Sequence, residues 1–265
     1  MVIFAKCKIN LGLRVVEKRK DGFHNLETIF VSVPSLCDII EIKKSDSVSL
    51  KVYDAKIDCS DADNLVLKAY NLIEREYDIS PVNIGLVKRI PFGAGLGGGS
   101  SDAAATLILL NTMFNLNIPF EKLESYALSL GSDVPFFLYA NRVLGSEKDN
   151  DEVVCMYAKG RGEVLSPIAL PQLSSYEIRI EKPEVSVSTA MAYKSVIPKV
   201  PSILLTEIVR QSVDCWRDLL INQFEDSVFE SYPIIKSYKE RMYSSGASFS
   251  LMSGSGSAVF GLFKK

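Results

Sequence analysis

The segment Pro91-Phe92-Gly93-Ala94-Gly95-Leu96-Gly97-Gly98-Gly99-Ser100-Ser101-Asp102 constrains this chain more than any other. Five glycines fall within the seven residues 93–99. Before them, Val82, Ile84, Leu86, Lys88 and Ile90 alternate as one face of a strand; after them, Ala103 to Phe114 reads as a helix. A glycine loop in that position lets backbone N–H groups approach an anion without interference from Cβ atoms. The helix start adds free N–H groups and the positive end of its dipole, and Ser100 and Ser101 add hydroxyls. Composition and placement are those of a phosphate cradle, the alternative being a glycine turn used only for packing. Gly93-x-Gly95-x-x-Gly98 also satisfies a dinucleotide-binding pattern, but Asn115 and Asn117 stand where that pattern needs an acidic residue. The Walker sequence Gly-Lys-Ser/Thr is absent.

Lys plus Arg total 30 against 32 Asp plus Glu, a net charge of −2, which argues against a general nucleic-acid binder. No apolar run is long enough for a membrane span, and no signal peptide is read at the N-terminus. The five cysteines, at 7, 37, 59, 155 and 215, are widely spaced and suit reduced thiols in a cytoplasm. His24 is the only histidine, so a Ser-His-Asp triad or a two-histidine metal site is a poor reading.

Along the chain, Lys8–Val15, 38–43, 48–53 and 176–182 read as strands. Asp63 is placed to cap a helix whose apolar face is Leu65, Val66, Ala69, Tyr70, Leu72 and Ile73. Pro119 opens a helix that Gly131 ends. Residues 141–152 turn polar and charged, the best candidate for a domain junction or a solvent loop. Helical patterns recur near 203–213, 215–221 and 233–243, and two strands flank Gly254-Ser255-Gly256-Ser257. There is no regular strand–helix alternation, so the fold class is α+β in two parts.

The run from Pro91 to Ala104 resembles the signature loop of the GHMP kinases, the family of galactokinase, homoserine kinase and the mevalonate-pathway kinases. Further segments narrow the resemblance: Lys8-Ile9-Asn10-Leu11-Gly12-Leu13, Asp21 to Thr28, Asp63-Asn64-Leu65-Val66, Gly131-Ser132-Asp133-Val134-Pro135-Phe136-Phe137, Gly160-Arg161-Gly162-Glu163 and Ser253 to Ser257. Together they are similar to the branch whose substrate is 4-diphosphocytidyl-2-C-methyl-D-erythritol, a precursor in non-mevalonate isoprenoid synthesis.

This resemblance implies a two-domain kinase, residues 1–155 binding ATP and 156–265 completing the substrate site, with the active site in the cleft between domains. It implies Asp133 as the group that orients the substrate hydroxyl and accepts its proton, and Lys8 as the ammonium beside it. Without it, Asp133 reads as an ordinary turn aspartate, and Lys8 is equally a solvent-facing strand lysine or a charge that its apolar neighbours Ile9, Leu11 and Leu13 require to have a partner. ATP would lie on Pro91, Gly93, Ala94, Gly95, Leu96, Gly97, Gly98, Gly99, Ser100 and Ser101, with Asn64 and Lys88 at the adenine. Phe23 and His24 would hold the cytosine, Phe23 standing where relatives commonly carry Tyr and keeping the stacking surface without the hydroxyl. Asn10, Ser186 and Thr189 would complete the substrate site. Mg²⁺ would arrive on the ATP phosphates without a dedicated carboxylate motif. The family often has Asn-Asp-Leu-Glu where this chain has Asn222-Gln223-Phe224-Glu225, and Pro-Ala-Lys where it has Lys6-Cys7-Lys8. The expected protein is a cytoplasmic monomer or weak homodimer that binds small molecules, with no nucleic acid or membrane partner. Rival expectations are another GHMP activity, such as homoserine or mevalonate-pathway kinase or diphosphomevalonate decarboxylase, a nucleotide sensor without catalysis, and a dinucleotide oxidoreductase.

Overall fold

Two strands are long enough to serve both compact units of the chain: β1 (Val2–Lys18) and β2 (His24–Lys44). The computed structural model describes residues 1–54, 63–141 and 152–265, so Cys59 and most of the expected junction at 141–152 lie outside the described residues. Unit one comprises Met1–Lys8, Ser32–Phe92 and Gly97–Val154; unit two comprises Ile9–Val31, Gly93–Leu96 and Cys155–Lys265. Neither is one consecutive stretch, because β1 and β2 change unit partway and residues 93–96 of the glycine loop pack with unit two.

In unit one, β3 (Ser49–Tyr53), α1 (Leu65–Tyr77), β4 (Val82–Val87), α2 (Gly98–Met113), α3 (Phe120–Leu130) and α4 (Val134–Ala140) follow in order. β4 runs antiparallel to β2 with Ile39 opposite Val87, and parallel to β3 with Ser49 opposite Asn83. α1 buries Val66, Ala69, Tyr70 and Ile73, the i, i+3, i+4, i+7 stripe of an amphipathic helix. Its cap is Asn64, not Asp63: the Asn64 side-chain oxygen accepts from Val66 N at 2.9 Å, while Asp63 pairs with Lys68. α2 begins five residues earlier than its apolar pattern suggests, since Gly98 and Gly99 are helical. Its residues Ser101 to Leu107 are all buried, as expected of a helix packed on every side.

Unit two adds β5 (Cys155–Gly160), β6 (Val164–Pro167), β7 (Tyr176–Glu181), α5 (Thr189–Lys194), α6 (Leu205–Ile208), α7 (Trp216–Leu219), α8 (Glu225–Ser231), α9 (Pro233–Ser244), β8 (Phe249–Met252) and β9 (Val259–Lys264). β5 lies antiparallel to β2, Leu26 facing Gly160, and β6 pairs with β5. A separate sheet has the order β7-β9-β8. Buried Glu27 ties these parts together: its Oε1 accepts from the Tyr157 hydroxyl at 2.9 Å and Leu205 N at 2.8 Å, and its Oε2 faces Arg14. Leu13, Val187, Phe224, Val228, Ile235 and Met252 belong to one apolar core. Trp216 is fully buried, edge-on to Phe249 at 5.9 Å.

The structure contains both helices and sheets, in agreement with the α+β reading. Strand β2 reaches much further than the expected 38–43. Its residues Leu26 to Val33 are buried in succession, so they show no alternation to read.

Gly95 is the tightest point of unit two. Its φ is +74°, and a Cβ there would stand 2.1 Å from the Ser253 carbonyl oxygen. Gly95→Ala is therefore expected to cost about 3 kcal/mol through overpacking and left-handed strain. Chemical denaturation measures it; a loss under about 1 kcal/mol would show that residues 93–96 yield easily.

Candidate active site

Lys8 and Asp133 meet within unit one. The Lys8 ammonium lies 3.5 Å from Asp133 Oδ2, with the lysine side chain 4% exposed and the aspartate 33%. Lys8 thus faces inward, not to solvent. Asp133 occupies the N-cap position of α4, but its carboxylate makes no capping bond, which leaves it directed to the lysine. Gly97, the N-cap of α2 with φ +74°, adjoins this pair: a Cβ there would lie 2.6 Å from Phe137 Cζ and 3.3 Å from Lys8 Cγ. A half-exposed carboxylate beside a buried ammonium at a glycine-built helix start is suited to orienting a hydroxyl while opposing the charge of a phosphoryl group.

A second charged cluster lies under the same helix start. Lys88 Nζ donates to Asp38 Oδ2 and, at 2.8 Å, to Asp102 Oδ2; all three side chains are buried. Asp38 Oδ1 accepts from Arg89 N and Ile90 N, fixing the chain as it leaves β4. Burial opposes the charge on Lys88, but attraction to Asp102 and Asp38 prevails and raises its pKa. For Asp102, burial outweighs the lysine and pushes the pKa up to about 7. Lys88, expected at the adenine, instead gives its ammonium to two carboxylates, 2.9 Å from where a Gly98 Cβ would be. Ser101 is fully buried and accepts from Asn141 Nδ2 at 2.9 Å, whereas Ser100 is half-buried. Asn64 is at the start of α1, its oxygen used in capping, and Leu65 Cδ1 approaches Gly99.

In unit two, Ala94 and Gly95 rest on the turn after β8. Ala258 N donates to Ala94 O at 3.1 Å, and Ser253 Oγ donates to Gly95 O at 3.0 Å. Leu96 and Ala94 are buried, so only their backbone serves the loop surface. Asn10 is buried: its Nδ2 donates to Thr28 Oγ1 at 2.9 Å and its N–H to Ser253 Oγ at 3.3 Å. Ser186 lies beside Gly93, its Oγ 3.5 Å from the position of a Gly93 Cβ. Thr189 shares a hydrogen bond with Ser255 at 3.1 Å, and both Ser186 and Thr189 are exposed.

Phe23 and His24 stand at the β1–β2 turn, which Asp21 shapes by accepting from Phe23 N and from the Arg19 guanidinium. Phe23 is 52% exposed with the Arg161 guanidinium 4.7 Å from its ring centre. His24 stacks on Tyr193 of α5, centroids 5.0 Å apart. Burial, then Lys18, holds its pKa below the usual histidine value, so the ring is neutral at pH 7. Tyr193, Asp38 and Asp102 were not singled out from the sequence; Asp102 closes the glycine motif and was the one with a signal to find.

Residues 64–141 match the GHMP kinases N terminal domain and 204–265 the GHMP kinases C terminal domain. A 4-diphosphocytidyl-2-C-methyl-D-erythritol kinase of Bacteroides thetaiotaomicron is 45% identical, covering 100% of this chain and 92% of the relative. A crystal structure of 4-(cytidine 5'-diphospho)-2C-methyl-D-erythritol kinase superposes with a TM-score of 0.80 at 34% identity, over 99% of this chain and 90% of that one. The Methanococcus jannaschii mevalonate kinase shares the fold, with a TM-score of 0.64 at 13% identity over 100% and 90% of the two chains. The chain belongs to the GHMP kinases, enzymes for which ATP is the phosphate donor. Within them, its full-length relatives are the 4-diphosphocytidyl-2-C-methyl-D-erythritol kinases.

Asp102 supplies a pH test. Its folded pKa of about 7 exceeds the ordinary 3.8, so the folded protein holds a proton that the unfolded chain releases. Its contribution to stability is complete below the ordinary value and declines as pH rises to about 7. The melting temperature of Asp102→Asn relative to wild type is expected to rise between about pH 5 and about pH 8. A constant difference would show that Asp102 carries the same charge in both states.

Proposed function

We propose that this chain transfers the γ-phosphoryl group of Mg-ATP to the 2-hydroxyl of 4-diphosphocytidyl-2-C-methyl-D-erythritol, a step of non-mevalonate isoprenoid precursor synthesis. The observation that carries the reading is the Lys8–Asp133 pair beside Gly97 at the start of α2. The full-length relatives that bear this activity in their name support the choice of alcohol.

Asp133 orients the hydroxyl and takes its proton as the oxygen attacks the γ-phosphorus; the bond to the β-phosphate oxygen breaks and ADP leaves. The Lys8 ammonium, 3.5 Å from Asp133, offsets charge on the phosphoryl oxygens. Backbone N–H groups of residues 93–99, the half-buried Pro91 and the Ser100 hydroxyl receive the phosphates, with Asn64 at the adenine and Lys88 supporting the helix start from beneath. Mg²⁺ enters on the ATP phosphates as part of the nucleotide substrate. Phe23 offers a ring face to cytosine, and neutral His24 has one ring nitrogen to donate and one to accept. Asn10, Ser186 and Thr189 shape the rest of the alcohol site, Asn10 through its hold on Ser253.

The wide spacing of the cysteines supports a cytoplasmic enzyme; we take it to be a monomer or weak homodimer. ADP release measured with the diphosphocytidyl alcohol, homoserine, mevalonate and phosphomevalonate tests the reading. Turnover of the first alone is expected; turnover of another would overturn the roles of Phe23 and His24.

Two variants resolve the roles. Asp133→Asn is expected to bind ATP normally and turn over about 10²- to 10⁴-fold more slowly in steady-state assays; near wild-type turnover would remove Asp133 from the mechanism. His24→Ala is expected to raise KM for the diphosphocytidyl alcohol while KM for ATP holds. An unchanged KM for the alcohol would place the cytosine elsewhere.

A further inference from the structure

The segment Asn222-Gln223-Phe224-Glu225 has no part in the reaction described above, yet it is bound on every side. Gln223 N donates to Leu13 O and Leu13 N to Ile221 O, so the segment is docked against β1. Asn222 is 2% exposed, and its amide is fully used: Nδ2 donates to Met252 O at 2.8 Å and to Gly254 O at 2.7 Å, while Oδ1 accepts from Phe224 N. Glu225 Oε1 accepts from Met252 N, and its Oε2 from Lys239. Two carbonyls, at the end of β8 and in the turn that follows it, are thus gripped by one side chain, and the Met252 N–H by a second.

That turn is what the middle of the glycine loop rests on. The Ser253 hydroxyl donates to Gly95 O, and the Ser253 carbonyl occupies the space a Gly95 side chain would need. We propose that Asn222 is a positioning residue for nucleotide binding: by clamping Met252 O and Gly254 O it sets Ser253 against Gly95 and holds residues 94–96 in their anion-binding shape. The inference rests on the phosphate role of the glycine loop proposed above, though not on which alcohol is phosphorylated. An amide is required because only it supplies two donors to two carbonyls and an acceptor for Phe224 N. A carboxylate of the same shape would turn oxygen towards oxygen at both carbonyls.

Calorimetric binding of a non-hydrolysable ATP analogue in the presence of Mg²⁺, alongside steady-state kinetics and thermal unfolding, tests this. Asn222→Asp is expected to weaken analogue binding and raise KM for ATP by about tenfold or more. Gln223→Ala serves as the contrast: it removes side-chain bonds to Val15 N and Ile197 O in the same segment, and should lower the melting temperature without moving analogue affinity. Unchanged analogue affinity in Asn222→Asp would overturn the proposal. If Asn222→Asp does not fold, Ser253→Ala carries the test, since it cuts the link to Gly95; unchanged affinity there would also overturn it. Wild-type protein that binds the analogue but does not phosphorylate the diphosphocytidyl alcohol refutes the substrate reading alone, and the Asn222 comparison then decides this inference. Wild-type protein that does not bind the analogue defeats both.

Discussion

A buried ammonium cannot stand alone, and the requirement to neutralise Lys88 organises unit one around the glycine loop. Asp38 from β2 and Asp102 from α2 converge on it, so a strand, the end of the next strand and a helix are tied at one point. Asp38 also takes the N–H groups of Arg89 and Ile90, which ends β4 at Val87 and aims the chain into the loop. One carboxylate more than ammoniums leaves an excess of negative charge in the interior. Burial first, and then the neighbouring Asp38 charge, raises the pKa of Asp102, and a proton there relieves both.

Residues 93–96 are held differently. In unit two the Ser253 carbonyl lies against Gly95 and the Ser253 hydroxyl donates to its carbonyl oxygen. The same loop is therefore supported electrostatically on the residues that flank it in unit one and by neutral backbone contacts in unit two. The close approach of the Ser253 carbonyl leaves no room for a side chain at Gly95. The two supports should therefore differ in how they respond to salt and pH.

What could be read from the sequence was what is local. Loop, flanking strand and helix lie within about thirty consecutive residues, and their patterns agree. The Lys8–Asp133 pair joins residues 125 positions apart, and no period or spacing links them; only family resemblance brought them to notice. Ser100 and Ser101 look equivalent in sequence, but one helical step turns the second inward to Asn141. Lys88 sits where strand alternation and loop meet, and nothing local reveals that Asp38, fifty residues earlier, claims its charge. Strand β5 is short and shares buried Met156, Tyr157 and Ala158 in succession, which hides the period of two.

The one tryptophan of the chain has a consequence for any study of its unfolding. Trp216 belongs to unit two, sealed against Phe249 and donating to Gln211 O. Its emission reports its own surroundings in that unit. Unit one, with Lys8 and Asp133, contains no tryptophan and is silent in that signal. A fluorescence melt and a far-ultraviolet melt of this chain thus watch different things: the first one unit, the second the backbone of both.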